Sequence, residues 1–303
     1  MPATIKAYRT YEQQVDLLSQ RGMEVGDRNE AIAVLRRINY YRLSGYWYPF
    51  RQLHGTERSD DFFPGSRLAD VIALYEFDAR LKAATFSVLA PIELAIRALL
   101  GHELGRIDPC IHLNPAKLGP RAQSGHSYSK WLASYQAELD SAREDFVAHH
   151  HGKYAGILPV WAAVEVLDWG GLTYLFGFAP RVVQDEIAAA CGLRAPQLEN
   201  WLKALNLLRN TCAHHGRLFN RVHTITPKLP TVGAHPDLDS ATTSWNRTFG
   251  QLTLIQFLLD RLELGRSALL PAVVKSFPVV RAVPIAHLGA QSSWQDASPL
   301  WRP

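Results

Sequence analysis

Apolar positions along this 303-residue chain recur mostly at three- and four-residue spacings, the period of a helix packed on one side. Residues 10–21 place Val15, Leu17 and Leu18 on a stripe that stops at Arg21-Gly22, and Asp27 is the predicted N-cap of a helix over 28–38. Residues 38–50, INYYRLSGYWYPF, read as too aromatic and too polar for a standard helix, and Gly45 and Pro49 punctuate them. A long helical region follows over 70–100, with Val71, Leu74, Phe77, Leu81 and Thr85 in phase and Pro91 expected to kink or break it. Past a loop-rich stretch (105–129), the pattern predicts an amphipathic helix over 131–151 and another from Pro159, closed by Gly170-Gly171. Further helices are predicted over 182–191, 196–215 and 244–264. Beyond Gly265, Pro271, Pro278, Pro284, Pro299 and Pro303 break the period, which predicts an irregular, loosely packed arm. The expected fold class is all-α: one helical domain over 1–265 and a C-terminal tail over 266–303, with no internal repeat and no strand-rich module.

Composition narrows the class. At 47% hydrophobic the chain has ample material for a core. Its three cysteines, Cys110, Cys191 and Cys212, form no C-x-x-C pair, so neither a disulfide framework nor a cysteine zinc site is expected, and a reducing compartment fits. The N-terminus lacks the apolar core of a secretory signal, and no run approaches the roughly 18–20 apolar residues of a membrane helix. The expectation is a cytoplasmic protein with no membrane partner. A net charge of +4 permits nucleic-acid binding without demanding it. The preference for Arg over Lys suits phosphate recognition and base stacking, and a GC-rich genome would produce the same bias.

The sharpest chemical signal is LLRNTCAHHGRLFNR, residues 207–221. Leu198, Trp201, Leu202, Leu205 and Leu208 lead into it with helical spacing, and Arg209, Asn210, His214 and His215 then crowd the end of that helix. Asn210 and His214 share a face, whereas Arg209 stands about 140° away from His214 on the helical wheel. A histidine titrating near neutrality suits proton transfer at a ribose 2′-oxygen or a leaving 5′-oxygen; an arginine suits the charge of the phosphorane-like transition state; an asparagine suits orienting either. Arg followed four to six residues later by His also starts at Arg97, Arg106, Arg121, Arg143, Arg217 and Arg281, so spacing alone carries little. The competing reading is a helix C-terminus capped by cations.

With its flanks, RNTCAHHGRLFNR resembles the R-N-x-x-A-H-H-x-R-x-x-N signature of the Abi family, the AbiF/AbiD-like abortive-infection proteins. Other blocks follow the same family in order: LLSQRGMEV (17–25), INYYRLSGYWYPF (38–50), LYEFDARLK (74–82), IELAIR (92–97) and LPVWAAVEVLDWGGLTYLF (158–176), so that the resemblance spans about residues 8–265. It implies a HEPN-like helical bundle with additional helices, and a metal-independent endoribonuclease toxin of phage defence that leaves a 2′,3′-cyclic phosphate and spares DNA. Arg209, Asn210 and His214 match the motif's catalytic positions. The resemblance also implies a homodimer, no cofactor, and RNA as both substrate and cognate small non-coding partner. The alternative is a non-catalytic module that holds a structured RNA.

Other residues keep two readings each. Glu93 and Arg97, an i, i+4 pair in an apolar helix, either brace the bundle or support the site, as His215 does in the second reading. Arg36, Arg37, Tyr40, Tyr41 and Arg42 either hold RNA or belong to an aromatic core. Trp161, Glu165 and Trp169 suggest core packed around a buried carboxylate, or a contribution to the site. His149-His150-His151 diverge by about 100° per residue and make a poor metal site; none is expected.

Overall fold

The computed structural model describes residues 5–241 and 243–302. Three short helices open the chain: α1 (Tyr11–Gln20), α2 (Arg28–Arg37) and α3 (Tyr40–Trp47). Thr10 closes a capping box on α1, and Asp27 caps α2 as predicted, its Oδ1 accepting the Glu30 N–H at 2.9 Å. The aromatic block is helical after all. Asn39 caps α3 by accepting the Tyr41 N–H (2.8 Å), and Leu43, Tyr46 and Trp47 form a buried stripe that outweighs the block's weak helix propensity. A hairpin that periodicity did not reveal follows, β1 (Arg51–His54) and β2 (Glu57–Phe62), antiparallel with Leu53 opposite Arg58.

The central element is α4 (Leu68–Gly105), 38 residues long. It runs through Pro91 without ending. Proline forfeits the N–H bond to the Ser87 carbonyl, but Ser87 lies on the exposed face where water can donate to that carbonyl instead, and Val88, Leu89, Ile92 and Ile96 are buried around it. By length and composition α4 is apolar enough to cross a membrane, which the sequence reading did not anticipate.

The other helices are α5 (Pro120–Gln123), α6 (Ser127–Ser141), α7 (Asp145–Lys153), α8 (Val160–Val166), α9 (Trp169–Phe178), α10 (Arg181–Ala190), α11 (Ala195–Ala213), α12 (Pro236–Asp239), α13 (Thr248–Arg261), α14 (Leu269–Lys275) and α15 (Trp294–Ala297). Helices α3, α8, α9, α10, α11, α13 and α14 all pack on α4. Helix α8 approaches closely: a Cβ on Gly101 would fall 2.9 Å from the Trp161 Cα. Residues 131–151 are two helices, because the polar run 140–145 offers only Ala142 for burial and the chain turns there. Gly170 and Gly171 do not close a helix; they sit in the first turn of α9, whose N-cap is Asp168.

The segment after Gly265 is irregular, as its prolines predict, but it is not a loose arm. Leu270 and Val274 of α14 are fully buried, Phe277 sets its ring edge against Phe77 (5.0 Å), and Trp301 stacks on Phe249 at 4.3 Å. Apolar side chains spaced between prolines are enough to dock short helices on a core already formed.

Candidate active site

Helix α11 carries the motif to the surface. Leu198, Trp201, Leu205, Leu208 and Cys212 face the core, Arg209 and Asn210 are half-buried in the last turns, and His214 is the exposed C-cap. The helix ends in a Schellman turn: the Gly216 N–H donates to the Thr211 carbonyl (2.7 Å) and the His215 N–H to that of Cys212 (3.1 Å). His215 occupies the left-handed position, φ 55°, where glycine is usual and an L side chain is strained by ~1–2 kcal/mol. The substitution His215→Gly is therefore expected to stabilise the fold by up to about 1 kcal/mol, read as a higher urea midpoint at unchanged slope. A lower midpoint would show that the imidazole makes a contact worth more than the strain.

Long-range bonds then fix the turn. From α3, Arg42 donates Nη1–H to the His215 carbonyl (2.8 Å), and the Arg217 guanidinium donates back to the Gly45 carbonyl. From α4, the fully buried Asp78 carboxylate accepts the N–H groups of Leu218 (3.1 Å) and Phe219 (2.6 Å), the Tyr46 hydroxyl (2.6 Å) and the Lys82 ammonium (2.8 Å). Burial, then the Asp78 charge, raises the Tyr46 hydroxyl far above its ordinary range, so it stays a donor. Burial pushes the Cys212 thiol up to about 12, which removes it as a nucleophile near neutrality. Burial likewise pushes His112 and His223 down to about 4; both are neutral core groups.

Arg209 lays its guanidinium over the Phe86 ring of α4, 5.3 Å from the centroid, and its Nε–H is buried without a partner. Its Nη1 lies 3.5 Å from the Asn210 Oδ1, and Asn210 donates to the Asn206 Oδ1 at 3.3 Å. Among the described residues no hydrogen bond joins Arg209 to His214 within the chain, and neither forms an ion pair. A groove of about 750 Å³ opens between α3, α4 and the end of α11; Arg42, Lys82, Phe86, Cys212 and His215 contribute to its walls, and no carboxylate does.

The remaining predicted residues divide. Arg42 and His215 join the groove. Arg36 and Arg37 are exposed on the last turn of α2, with Arg36 over the Tyr11 ring (5.9 Å). Tyr41 is exposed, whereas Tyr40 packs against Trp47 at 4.9 Å. Glu93 and Arg97 are not at the site. Arg97 bonds Glu93 (2.7 Å) and the Val164 carbonyl of α8, a brace between helices, and helical rise sets it about 16 Å beyond Phe86 along α4. Glu165 is exposed and Trp169 lies on another helix, so no buried carboxylate sits between the tryptophans. Among the described residues no group of three His, Cys, Asp or Glu is placed to hold a metal ion. Sequence reasoning missed Asp78, Lys82 and Arg217; the i, i+4 pair Asp78–Lys82 inside an apolar helix was the available signal, the same pattern that drew attention to Glu93–Arg97.

Comparison with known proteins places this arrangement. Neither the curated proteins nor the solved structures contain a match to the chain. The family model described as Abi-like protein matches residues 33–220, a narrower span than the expected 8–265, running from α2 to the Asn220 that follows the Asp78 clamp. That is more than half of the chain, and it takes in α3, α4, α11 and the whole R-N-x-x-A-H-H segment; the chain belongs to the Abi-like protein family, which ties it to abortive infection, a phage-defence response.

Proposed function

We propose that this chain is an endoribonuclease toxin of the HEPN type acting in abortive infection, with Arg209, Asn210 and His214 as its reacting groups. The observation that carries the reading is the exposed His214 at the end of the helix that bears half-buried Arg209 and Asn210, flanked in sequence by Ala213 and His215, which line a groove whose walls bear cations and no carboxylate. Neutral His214 takes the 2′-hydroxyl proton, the 2′-oxygen attacks the adjacent phosphorus, and the 5′-oxygen leaves with a proton. The products are a 2′,3′-cyclic phosphate and a 5′-hydroxyl, and DNA, lacking the 2′-OH, is spared. Arg209 meets the charge that builds on the phosphoryl oxygens.

Among the described residues no hydrogen bond joins Arg209 to His214 within one chain; a second copy brings the Arg209 of one chain to the His214 of the other. Ala83, Phe86, Ala90 and Leu94 form an outward stripe on α4, with Phe86 and Leu94 42% and 59% exposed, and only 39% of that helix's most apolar window is buried. Two-fold pairing along this stripe sets the two α11 ends near one axis, because Phe86 touches Arg209. The family resemblance adds a cognate small non-coding RNA as the restraining partner, in the cytoplasm.

A second reading, an RNA-holding module without cleavage, draws on one observation: Arg209 and His214 do not meet within a chain. Incubating the purified protein with single-stranded RNA in EDTA separates the two. The expected result is fragments ending in 2′,3′-cyclic phosphate. RNA that is bound but intact supports the second reading, and cleavage abolished by EDTA sinks the proposed chemistry.

A further inference from the structure

The groove between α3, α4 and the α11 terminus holds more chemistry than the motif requires. Lys82 reaches its wall from the middle of a helix whose neighbouring positions are apolar, and its side chain is only 9% exposed. A lysine so nearly dehydrated is costly unless it is paired, and Asp78 pairs it. Asp78 itself is sealed behind Lys82 and fully occupied by donors, so it presents no negative face to the groove. From α3, Arg42 also lines the groove; it uses one Nη on the His215 carbonyl and has no ion pair among the described residues, which leaves the rest of its fork free. Arg209 lies over Phe86, which contributes to the same wall. Two cations and no acid on the walls of one groove are what a single-stranded nucleic acid backbone requires.

We propose that this groove is a substrate subsite in which Lys82 and Arg42 grip an RNA phosphodiester neighbouring the one that is cut. The assignment rests on the RNA reading above, but it concerns binding rather than cleavage. Lys82 and Arg42 touch a phosphate that does not react, so they set affinity and register while Arg209 and His214 face the reacting group. The strained His215 has a place in this arrangement: its left-handed turn points its carbonyl at Arg42 and so fixes the guanidinium on the groove wall.

The test uses the full chain and a fluorescent single-stranded oligoribonucleotide carrying 2′-O-methyl groups throughout, which cannot be cut, read by anisotropy against salt concentration. Arg42→Gln and Lys82→Gln are each expected to weaken binding about tenfold. Each should also reduce the slope of log affinity against log salt by about 0.7, the share of one single-strand phosphate contact. Arg42→Lys, which keeps the charge, should retain most of the affinity. Melting curves establish that each variant is folded, and Arg42, being exposed, provides the arm in which folding is least at risk. Unchanged affinity and slope in folded Arg42→Gln and Lys82→Gln would overturn the subsite, as would a wild-type protein that does not bind the oligonucleotide. Because the probe cannot be cleaved, a wild type that binds it through Lys82 and Arg42 but never cuts RNA would sustain this subsite while removing the nuclease.

Discussion

His214→Ala is expected to lower RNA cleavage by about 10²–10⁴-fold, the range a single general acid–base group contributes, with little change in melting temperature. The two effects separate because His214 is an exposed C-cap: its backbone N–H bonds the Asn210 carbonyl whatever the side chain, and among the described residues its imidazole makes no hydrogen bond or ion pair. Arg209→Ala should cost about 10²–10³-fold by removing the cation at the phosphoryl oxygens. Its loss should also be felt in stability, because the guanidinium covers Phe86. Mixing the two inactive variants tests where the site is assembled. If Arg209 of one copy works with His214 of the other, random reassociation restores about a quarter of wild-type activity, since half the dimers are mixed and each rebuilds one of two sites. No recovery after verified subunit exchange would place the whole site within one chain. Retained cleavage in folded His214→Ala would end the assignment altogether.

The parts of this molecule that were legible in its sequence are those governed by local rules. Asp27 announces a helix start, and the Leu198-to-Leu208 stripe announces the helix that carries the motif. The misreadings share one cause, which is that tertiary burial overrode a local signal. Residues 40–47 lack helix propensity but have Leu43, Tyr46 and Trp47 to bury. Pro91 breaks a hydrogen bond on a face where water replaces it. Residues after Gly265 have too many prolines for long helices, yet they carry Trp294, Leu300 and Trp301 at positions the core can absorb. The site divides in the same way. Arg209, Asn210, His214 and His215 were visible because they fall within seven consecutive residues at the end of one helix. Asp78 lies about 140 residues from the backbone it holds, and no periodicity links it or its partner Lys82 to that backbone. The same i, i+4 pattern marked both Asp78–Lys82 and Glu93–Arg97; only the packing partners tell the clamp on the motif from the brace on α8.

Asp78→Ala should be the most destructive single change in the fold, costing about 3–5 kcal/mol, a large part of the ~5–15 kcal/mol that holds a domain together. Two losses coincide in it. Lys82 is left charged and nearly buried with no counter-ion, and the Leu218 and Phe219 N–H groups lose their acceptor at 0% exposure, where water does not reach. Lys82→Met should cost far less, about 1–2 kcal/mol, because the carboxylate it leaves behind still accepts two backbone N–H bonds and the Tyr46 hydroxyl. The asymmetry is the diagnostic. If Asp78 served mainly as half of an ion pair, either truncation would strand one buried charge and the two costs would be similar. If it serves mainly as the clamp on the chain leaving the motif, Asp78→Ala exceeds Lys82→Met severalfold, and the double variant stays close to Asp78→Ala because removing the lysine charge does not restore the missing acceptor. Urea titrations of the three variants read all of this directly, and equal single costs would assign Asp78 to the ion pair alone.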